Sequence, residues 1–399
     1  MWCLLRTICL VYIFGSIFCL IFEPLPRNPE ANMNINEIIS YWGYEYEEYE
    51  VVTEDGYILP IYRIPHGKNK SSHLGKLRPV VYLQHGWTLS ASIWLANPPN
   101  SSLGFILADA GFDVWMGNSR GNTYARKHMY LDPHSKKFWA FRLSHIIKYD
   151  LPATIDFIVN KTGQRQIYYV GYFQGSLLAF GAFSANPQLA QKIKLSFLPA
   201  PVATVKYASG AIRAITFLGT TLTKILFGEK DIFSSSDAKY FVEFLCQRET
   251  AGAACNNILT LLYGYDPKNL NESRLDVYAG QAPAGTSVQT LLHYAQGVRT
   301  GVFQAYDWGS PSLNMLHYNQ RTPPPYNVKD MKIPTAMWSG GKDFLADPID
   351  VRHLEANISN LIYHKKIADC NHLDFVIGLN ARNEAFDEIV AFINEDLSS

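Results

Sequence analysis

Short apolar runs that end at glycine, each followed by a longer stretch with helical spacing, restrict the fold of this sequence more than any other feature. The runs Val80 to Leu83, Phe112 to Met116 and Ile167 to Val170 are four or five residues long and continuous. Continuous apolar runs of this length are typical of parallel strands buried on both faces. Their alternation with helical patterns predicts an α/β fold, with a mostly parallel sheet and helices on both faces.

The pattern changes in the middle of the chain and returns near the C terminus. Residues 203–325 are richer in helix-like segments and turn residues, and strand patterns resume at Pro334. We therefore expect a core made of residues 23–202 and 326–399, with residues 203–325 inserted as a largely helical cap. Within the cap, AIRAITFLGTTLTKILFG predicts an amphipathic helix, which suits either packing within the cap or a membrane surface.

Residues 1–22 predict a secretory signal peptide. An apolar run from Thr7 to Phe22 follows a single positive charge, Arg6. This run has the length of a signal-peptide core and is short for a membrane span, although an uncleaved anchor stays open as an alternative. We therefore expect a secreted or lysosomal protein. Five glycosylation sequons agree with that route: Asn69, Asn100, Asn160, Asn271 and Asn357.

The composition excludes two other classes of protein. The chain has 35 basic and 35 acidic residues, so its net charge of zero does not favour a nucleic-acid ligand. A hydrophobic content of 48% is too high for a disordered chain. Three of the six cysteines lie in the predicted signal peptide, which leaves too few for a disulfide-rich scaffold. No cofactor or metal is expected.

One G-x-S-x-G pattern, from Gly117 to Gly121, places Ser119 where a hydrolase carries its nucleophile. A strand precedes this pattern, but the residues that follow it are polar and rich in turn formers. A nucleophile elbow must instead lead into an apolar helix. We therefore interpret the segment as a structural loop in which Asn118 and Arg120 hold backbone carbonyl groups.

A second segment, from Gly171 to Gly175, has the sequence context of a nucleophile elbow. It follows the strand pattern QIYYV, leads into the helical pattern SLLAFGAF and contains both glycines. Phe173 occupies the nucleophile position, and a phenyl ring has no lone pair or acidic proton with which to form an acyl-enzyme. The sequence therefore predicts an elbow that keeps its turn and has lost its nucleophile.

The other parts of an acyl-transfer site follow predicted strands. Asp343 comes after TAMWSGG, and His372 lies further along the chain in DCNHLDF. Nucleophile position, acid and histidine thus stand in the order found in α/β hydrolases. We assign the oxyanion hole to the backbone amides of Trp87 and Gln174. Taken singly, Asp343 could cap a turn and His372 could be an ordinary loop histidine.

Seven segments in order resemble the acid lipases, the vertebrate gastric and lysosomal group: HGWTLSASIW, GFDVWMGNSRGNTYARKH, KYDLPATIDF, APVATVKY, LNESRLDVYAGQAPAGTSVQ, QAYDWGSP and SGGKDFLADP. The resemblance covers nearly all of the chain from about Asn32 and is closest to the gastric members. It implies an α/β-hydrolase core with a cap, and hydrolysis of triacylglycerols or steryl esters at a lipid–water interface. Cys246 and Cys255 match the family pattern, which implies a disulfide and leaves Cys370 as a free thiol.

The chain departs from that family at the elbow. Where the family pattern has G-H-S-Q-G, this chain has Tyr172 and Phe173 in place of the histidine and the serine. Asp343, His372 and Gln174 match. Two hypotheses therefore stay open. The protein is either a weakly active or inactive relative that binds a lipid or a protein partner, or a lipase that uses another nucleophile.

Overall fold

The computed structural model describes residues 28–69, 77–233 and 262–399. The predicted signal peptide and the two cysteines expected to pair, Cys246 and Cys255, lie outside these ranges. The strands are β1 (Glu47–Val52), β2 (Tyr57–Ile64), β3 (Val80–Gln84), β4 (Asp113–Gly117), β5 (Lys127–His128), β6 (Ile167–Gly171), β7 (Ile193–Pro199), β8 (Asp231–Ile232), β9 (Thr286–Ser287), β10 (Thr335–Gly340) and β11 (Leu361–Ile367).

Helices alternate with these strands through most of the chain. The α-helices are α1 (Ile35–Tyr41), α2 (Leu103–Asp109), α3 (Leu143–His145), α4 (Leu151–Thr162), α5 (Gln174–Ala185), α6 (Pro187–Ala190), α7 (Gly210–Phe227), α8 (Leu275–Gln281), α9 (Val288–Thr300), α10 (Pro311–Tyr318), α11 (Pro348–Glu355), α12 (Asp374–Ile377) and α13 (Asp387–Ser398). Two π-helical turns, Ile146–Asp150 and Arg382–Phe386, precede α4 and α13.

A nine-stranded sheet forms the centre of the fold. Eight strands follow the order β1-β2-β4-β3-β6-β7-β10-β11, and β5 pairs with β2. The pairs from β4 to β11 are parallel, whereas β2 is antiparallel to β1, β4 and β5. The predicted α/β class with a mostly parallel sheet is confirmed. The antiparallel hairpin of β1 and β2 was not predicted, because Val51 is the only buried residue of β1 and the strand has no continuous apolar run.

The parallel strands place the candidate site at one edge of the sheet. Strands β3 and β6 end side by side, with Gln84 opposite Gly171, and β10 is separated from β6 only by β7. The carboxyl ends of parallel strands lie at the same edge, where α/β proteins bind their ligands. The loops after β3, β6 and β10 therefore meet there. They carry Trp87, Phe173 and Asp343, respectively.

The segment between β7 and β10 contains helices α7 to α10 and a two-stranded ladder of β8 with β9. The sequence did not predict this ladder, because each of its strands has only two residues. Helix α7 is interrupted at Gly219, which has φ 66° and ψ 169°. Ile212 in its first turns is buried, whereas Phe217 is 81% and Ile225 71% exposed. In the described part of the chain, none of the helices combines the length and apolar character needed to span a membrane.

Candidate active site

The turn between β6 and α5 has the backbone of a nucleophile elbow. Phe173 has φ 45° and ψ −103°, a conformation that costs a non-glycine residue about 1–3 kcal/mol. The flanking glycines are required by close packing. A Cβ atom on Gly175 would lie 2.5 Å from the carbonyl oxygen of Gln84, and one on Gly171 would lie 2.7 Å from the carbonyl carbon of Gly175. The strained turn is therefore retained although its central side chain carries no nucleophile.

Asp343 and His372 lie within hydrogen-bonding distance, as the sequence predicts. The Nδ1 atom of His372 donates to Oδ2 of Asp343 at 2.8 Å, and both side chains are buried. The second carboxylate oxygen accepts the amides of Leu345 and Ala346 at 2.9 and 2.8 Å. A histidine that donates from Nδ1 to a fixed carboxylate presents Nε2 as a general base. Asp343 and His372 thus have the arrangement that the acid and base of an acyl-transfer site would need.

The ring of Phe173 fills the space beside this base. Its centroid lies 4.5 Å from that of His372, with the two rings almost perpendicular at 85°. It also stacks on Tyr294, at 6.0 Å and an interplanar angle of 5°. Phe173 is only 2% exposed. The ring therefore occupies the position in which a serine hydroxyl and the acyl carbon of a substrate would meet.

Tyr172, the second altered residue of the elbow, is built into the loop that carries His372. Its hydroxyl donates to the carbonyl oxygen of His372 at 3.1 Å, and the two rings are 4.9 Å apart. A Cβ atom on Gly86 would lie 2.8 Å from the Tyr172 ring, so the tyrosine also packs against the loop after β3. Tyr172 therefore joins the loop that carries His372 to the loop after β3.

The two amides assigned to the oxyanion hole are without acceptors in the described ranges, and the side chains of both residues contact Tyr294. Neither the amide of Trp87 nor that of Gln174 has an acceptor among the described residues. Gln174 begins helix α5, where the helix dipole favours negative charge. The ring of Tyr294 lies 5.1 Å from the Trp87 ring, and its hydroxyl donates to Oε1 of Gln174 at 3.3 Å. Trp87, Phe173 and Tyr294 together fill the site.

The Gly117–Gly121 segment is a structural loop, and Ser119 takes part in a buried network. The Ser119 hydroxyl accepts from Nε2 of Gln84 at 3.2 Å, and its amide donates to Nε2 of His85 at 3.0 Å. Burial lowers the pKa of His85 to about 4, so this imidazole is neutral and accepts the bond. The next element after Gly121 is strand β5, and no helix follows the pattern directly.

Asn118 and Arg120 differ in the groups they hold. Asn118 donates to the carbonyl oxygen of Pro60 at 3.2 Å, as predicted. For Arg120 the expectation of a carbonyl partner is wrong, because its guanidinium pairs with the carboxylates of Asp55 and Asp150 at 2.8 and 2.7 Å. Arg120 is 1% exposed, and a buried charge requires an opposite charge nearby.

The sequence did not predict a serine–histidine–carboxylate arrangement that the structure contains besides the Asp343–His372 pair. The hydroxyl of Ser339 lies 2.8 Å from Nε2 of His364, whose Nδ1 lies 2.9 Å from Oε1 of Glu355. The three residues come from β10, β11 and α11, so no sequence motif connects them. Ser339 is buried within a strand and precedes no helix, whereas a nucleophile elbow exposes its hydroxyl at a strand-to-helix turn.

Other nucleophilic side chains near the elbow are engaged or protonated. Ser176 donates to the carbonyl oxygen of Phe173 at 2.6 Å and accepts the amide of Val202 at 2.8 Å. Cys370 is a buried free thiol, and burial raises its pKa to about 12. It therefore stays protonated at physiological pH. No cluster of histidine, cysteine and acidic side chains in the described ranges is suited to a metal ion.

Asp374 joins the His372 loop to the segment that contains Asp266. One carboxylate oxygen accepts the amide of Asn371 at 2.7 Å, and the other accepts the amide of Asp266 at 3.2 Å. Burial raises the pKa of Asp374 to about 6. A raised pKa means that the folded state binds this proton more tightly than the unfolded state. Protonation of Asp374 therefore stabilises the folded state. This contribution to the unfolding free energy is full below about pH 4 and is lost as the pH rises through 6.

We expect Asp374→Asn to reduce this pH dependence. As the pH falls from 7 to 4.5, the free energy of unfolding of the parent should rise by about 1–2 kcal/mol more than that of the variant. Urea unfolding of both proteins at the two pH values measures the difference. Asp369→Asn is the control, because the Lys342 ammonium lowers the pKa of this exposed carboxyl and its removal should act in the opposite direction. Equal pH slopes for Asp374→Asn and its parent would contradict the assignment.

The chain matches two protein families by sequence. The α/β hydrolase fold family matches residues 79–379, and the partial α/β-hydrolase lipase region matches residues 35–98. Among solved structures, epoxide hydrolase VrEH1 from Vigna radiata aligns with a TM-score of 0.50 and 16% identity. That alignment covers 88% of this chain and 99% of the other, and it shows a shared fold.

Several lipases are similar to the chain over nearly its full length. The tear acid lipase-like protein of Mesocricetus auratus is 58% identical over 378 residues, which cover 95% of this chain and 94% of that protein. Gastric triacylglycerol lipase of Homo sapiens is 52% identical over 400 residues, 99% of this chain and 100% of that protein. Lysosomal acid lipase/cholesteryl ester hydrolase of Macaca fascicularis is 52% identical over 364 residues, 91% of each chain. The resemblance found in the sequence is confirmed.

Proposed function

Since the chain belongs to the acid lipase family of α/β hydrolases, we propose that it binds neutral lipid and does not hydrolyse esters at its elbow. The observation that carries this proposal is the buried ring of Phe173, which contacts both His372 and Tyr294. Acyl transfer needs an oxygen or sulfur nucleophile beside the base, and none stands at position 173.

The structural parts that surround the missing nucleophile support binding as the retained role. The elbow keeps its strained backbone, and the Asp343–His372 pair keeps its 2.8 Å hydrogen bond. Without a nucleophile, the oxyanion hole and binding alone leave roughly a thousandfold acceleration over the reaction in water. We therefore expect a rate below the threshold of an ordinary lipase assay.

A neutral lipid is the ligand that the relatives suggest. Two of them are named as a triacylglycerol lipase and a cholesteryl ester hydrolase. The exposed apolar side chains of helix α7, Phe217 and Ile225 among them, support contact with a lipid–water interface. We propose residues 203–325 as the cap that carries this surface.

We propose that the protein passes through the secretory pathway, and the exposure of its glycosylation sequons supports this route. Four of the five sequon asparagines are exposed in the structure, which glycosylation requires: Asn69, Asn100, Asn160 and Asn357. Asn271 is partly buried and accepts hydrogen bonds from the amide and hydroxyl of Ser273. We propose a secreted or lysosomal protein with a signal peptide at residues 1–22 and a disulfide between Cys246 and Cys255.

A second candidate function is ester hydrolysis through Ser339. Its hydrogen bond to His364, which approaches Glu355, is the specific observation in its favour. The position of Ser339 inside a buried strand opposes it, because a substrate carbonyl must reach the hydroxyl. This candidate predicts a reactive serine in the unmodified protein, whereas the first candidate predicts none.

Labelling and flotation together test the proposed function. We expect purified wild-type protein to float with a triolein emulsion, to remain unlabelled by a fluorescent serine-directed phosphonate, and to leave tributyrin intact. Ser339→Ala should behave identically, and Phe173→Ser provides the positive control for labelling. Wild-type labelling that disappears in Ser339→Ala would establish the second candidate. Failure to float would contradict the lipid-binding proposal.

A further inference from the structure

An acidic stretch of the chain surrounds the start of strand β1. Residues 28–62 contain eight aspartate or glutamate side chains and no lysine, arginine or histidine. The net charge of the whole chain is zero, so this stretch is a local concentration of negative charge, which attracts a basic surface of a partner. Four of the glutamates lie within four residues of Tyr46: Glu45, Glu47, Glu48 and Glu50.

The hydroxyl group of Tyr46 is accessible to an enzyme. Tyr46 is 40% exposed, and its hydroxyl forms no hydrogen bond with any residue that the structure describes. It lies in irregular backbone between helix α1 and strand β1, three residues after Gly43, which has a φ of 75°. In the described ranges β1 is the edge strand of the nine-stranded sheet, so one side of its backbone has no neighbouring strand. Both the phenol and the adjoining backbone are therefore open to a partner.

The other tyrosines near these glutamates are less suited to modification. Tyr44 is 5% exposed, and its hydroxyl donates to a carboxylate at 2.7 Å. The Tyr49 ring stacks on that of Trp115 at 5.5 Å, and its hydroxyl also donates to a carboxylate. Tyr41 is exposed, but it is the last residue of helix α1, and only two acidic residues lie within four positions of it. Tyr46 thus combines exposure, a free hydroxyl and an acidic surrounding.

The carboxylates around Tyr46 remain available to a basic partner. Glu45 contacts His66 at 3.0 Å, but 60% of the glutamate side chain is exposed. Glu50 contacts Lys127 at 2.6 Å and is 51% exposed. Exposed ion pairs of this kind are weak because water screens them. Basic side chains of an enzyme can therefore compete for these glutamates.

We propose that Tyr46 is a site of tyrosine O-sulfation, with a nucleotide phosphosulfate as the sulfate donor. The phenol oxygen forms a bond to the sulfur of the donor, and the bond from that sulfur to the bridging phosphate oxygen breaks. The nucleotide phosphate leaves, and a base of the sulfotransferase takes the phenol proton. The surrounding glutamates match a basic substrate cleft. This inference rests on the secretory route proposed above, because tyrosine sulfation takes place in the Golgi lumen.

Sulfate transfer in solution tests the site without depending on the secretory route. Wild-type protein purified from chlorate-treated cells, which make no sulfate donor, should accept radiolabelled sulfate from a tyrosine sulfotransferase. The peptide that contains Tyr46 should gain the mass of one SO₃ group. Tyr46→Phe should abolish incorporation and keep the wild-type melting temperature, because the hydroxyl has no hydrogen bond to lose. Tyr130→Phe is the matched control: Tyr130 is 82% exposed but follows Arg126 and Lys127, so this variant should be labelled like wild type.

A second pair of variants tests whether the glutamates direct the enzyme. Glu45→Gln combined with Glu48→Gln should lower the initial rate of sulfate incorporation by about fivefold, because the enzyme loses charged contacts beside the phenol. Glu272→Gln combined with Glu395→Gln removes the same charge from exposed positions elsewhere and should leave the rate unchanged. Equal rates in the two double variants would contradict recognition through the acidic stretch.

Expression in untreated mammalian cells separates failure of this inference from failure of the secretory route. Secreted protein should carry a sulfate at Tyr46 that resists alkaline phosphatase. Secreted protein without this group would overturn the proposal, and a phosphatase-sensitive group at Tyr46 would overturn it in favour of phosphorylation. Protein that stays inside the cells but accepts sulfate at Tyr46 in solution would contradict the secretory route alone. Protein that is retained and accepts no sulfate would overturn both.

Discussion

Phe173→Ser should convert a protein that ignores serine-directed phosphonates into one that is labelled at residue 173. The elbow already holds residue 173 at φ 45°, and a serine there needs no backbone movement. Removing the ring also vacates the space next to His372, whose Nδ1 is held by Asp343. The new hydroxyl would therefore lie beside a positioned general base.

The expected gain in tributyrin hydrolysis is at least about a thousandfold over wild type. Loss of the serine from an intact triad costs about six orders of magnitude in turnover, so even partial restoration is large. Recovery should be incomplete, because the packed rings of Trp87 and Tyr294 remain beside the elbow, 5.1 Å apart. Initial rates on tributyrin and the mass of the labelled peptide measure the two effects separately.

Two further variants show whether the gain uses the predicted machinery. Adding Tyr172→His restores the residue that precedes the serine in the family pattern, but it removes the hydrogen bond from Tyr172 to the His372 carbonyl. The double variant should be labelled and is expected to lose some stability. Adding His372→Ala to Phe173→Ser should abolish labelling. If neither serine variant is labelled, more than the nucleophile has been lost, and the assignment of the elbow as an otherwise intact site is wrong.

Arg120→Met should be among the most destabilising substitutions in the chain. The guanidinium is bonded to Asp55 and Asp150 and stacks on Tyr57 at 3.9 Å. Removing it leaves Asp150 buried without its counter-charge, which costs about 3–5 kcal/mol of unfolding free energy. Urea unfolding monitored by tryptophan fluorescence measures this loss.

Arg126→Met provides the matched comparison for Arg120→Met. Arg126 lies in the same loop, its side chain is 36% exposed, and its contact with Asp231 is 3.3 Å long. A partly exposed pair of this kind contributes about 1 kcal/mol or less. Similar losses of unfolding free energy in the two variants would show that the Gly117–Gly121 loop is not held by its buried ion pairs.

Ser119→Ala should leave phosphonate labelling of the Phe173→Ser protein unchanged.

The sequence by itself determined the fold class, the elbow and the order of the site residues. Apolar runs bounded by glycine identify strands β3, β4 and β6 because burial on both faces removes polar residues from them. The two glycines around Phe173 identify the elbow because close contacts with Gln84 and between the glycines exclude any Cβ atom. These signals are local, so they can be read along the chain. Strand β7 escaped detection because Lys194 interrupts its apolar run.

Only the tertiary structure decided what surrounds these residues. The perpendicular contact of Phe173 with His372, its stacking on Tyr294 and the carboxylates around Arg120 all depend on residues far apart in the chain. A motif reports which residue types occur at a fixed spacing, but it contains no distances between separate elements. Whether a buried charge is paired, or a ring fills a catalytic space, depends on how strands and loops pack together. The sequence could therefore locate the lost nucleophile, while only the packed structure shows how its place is filled.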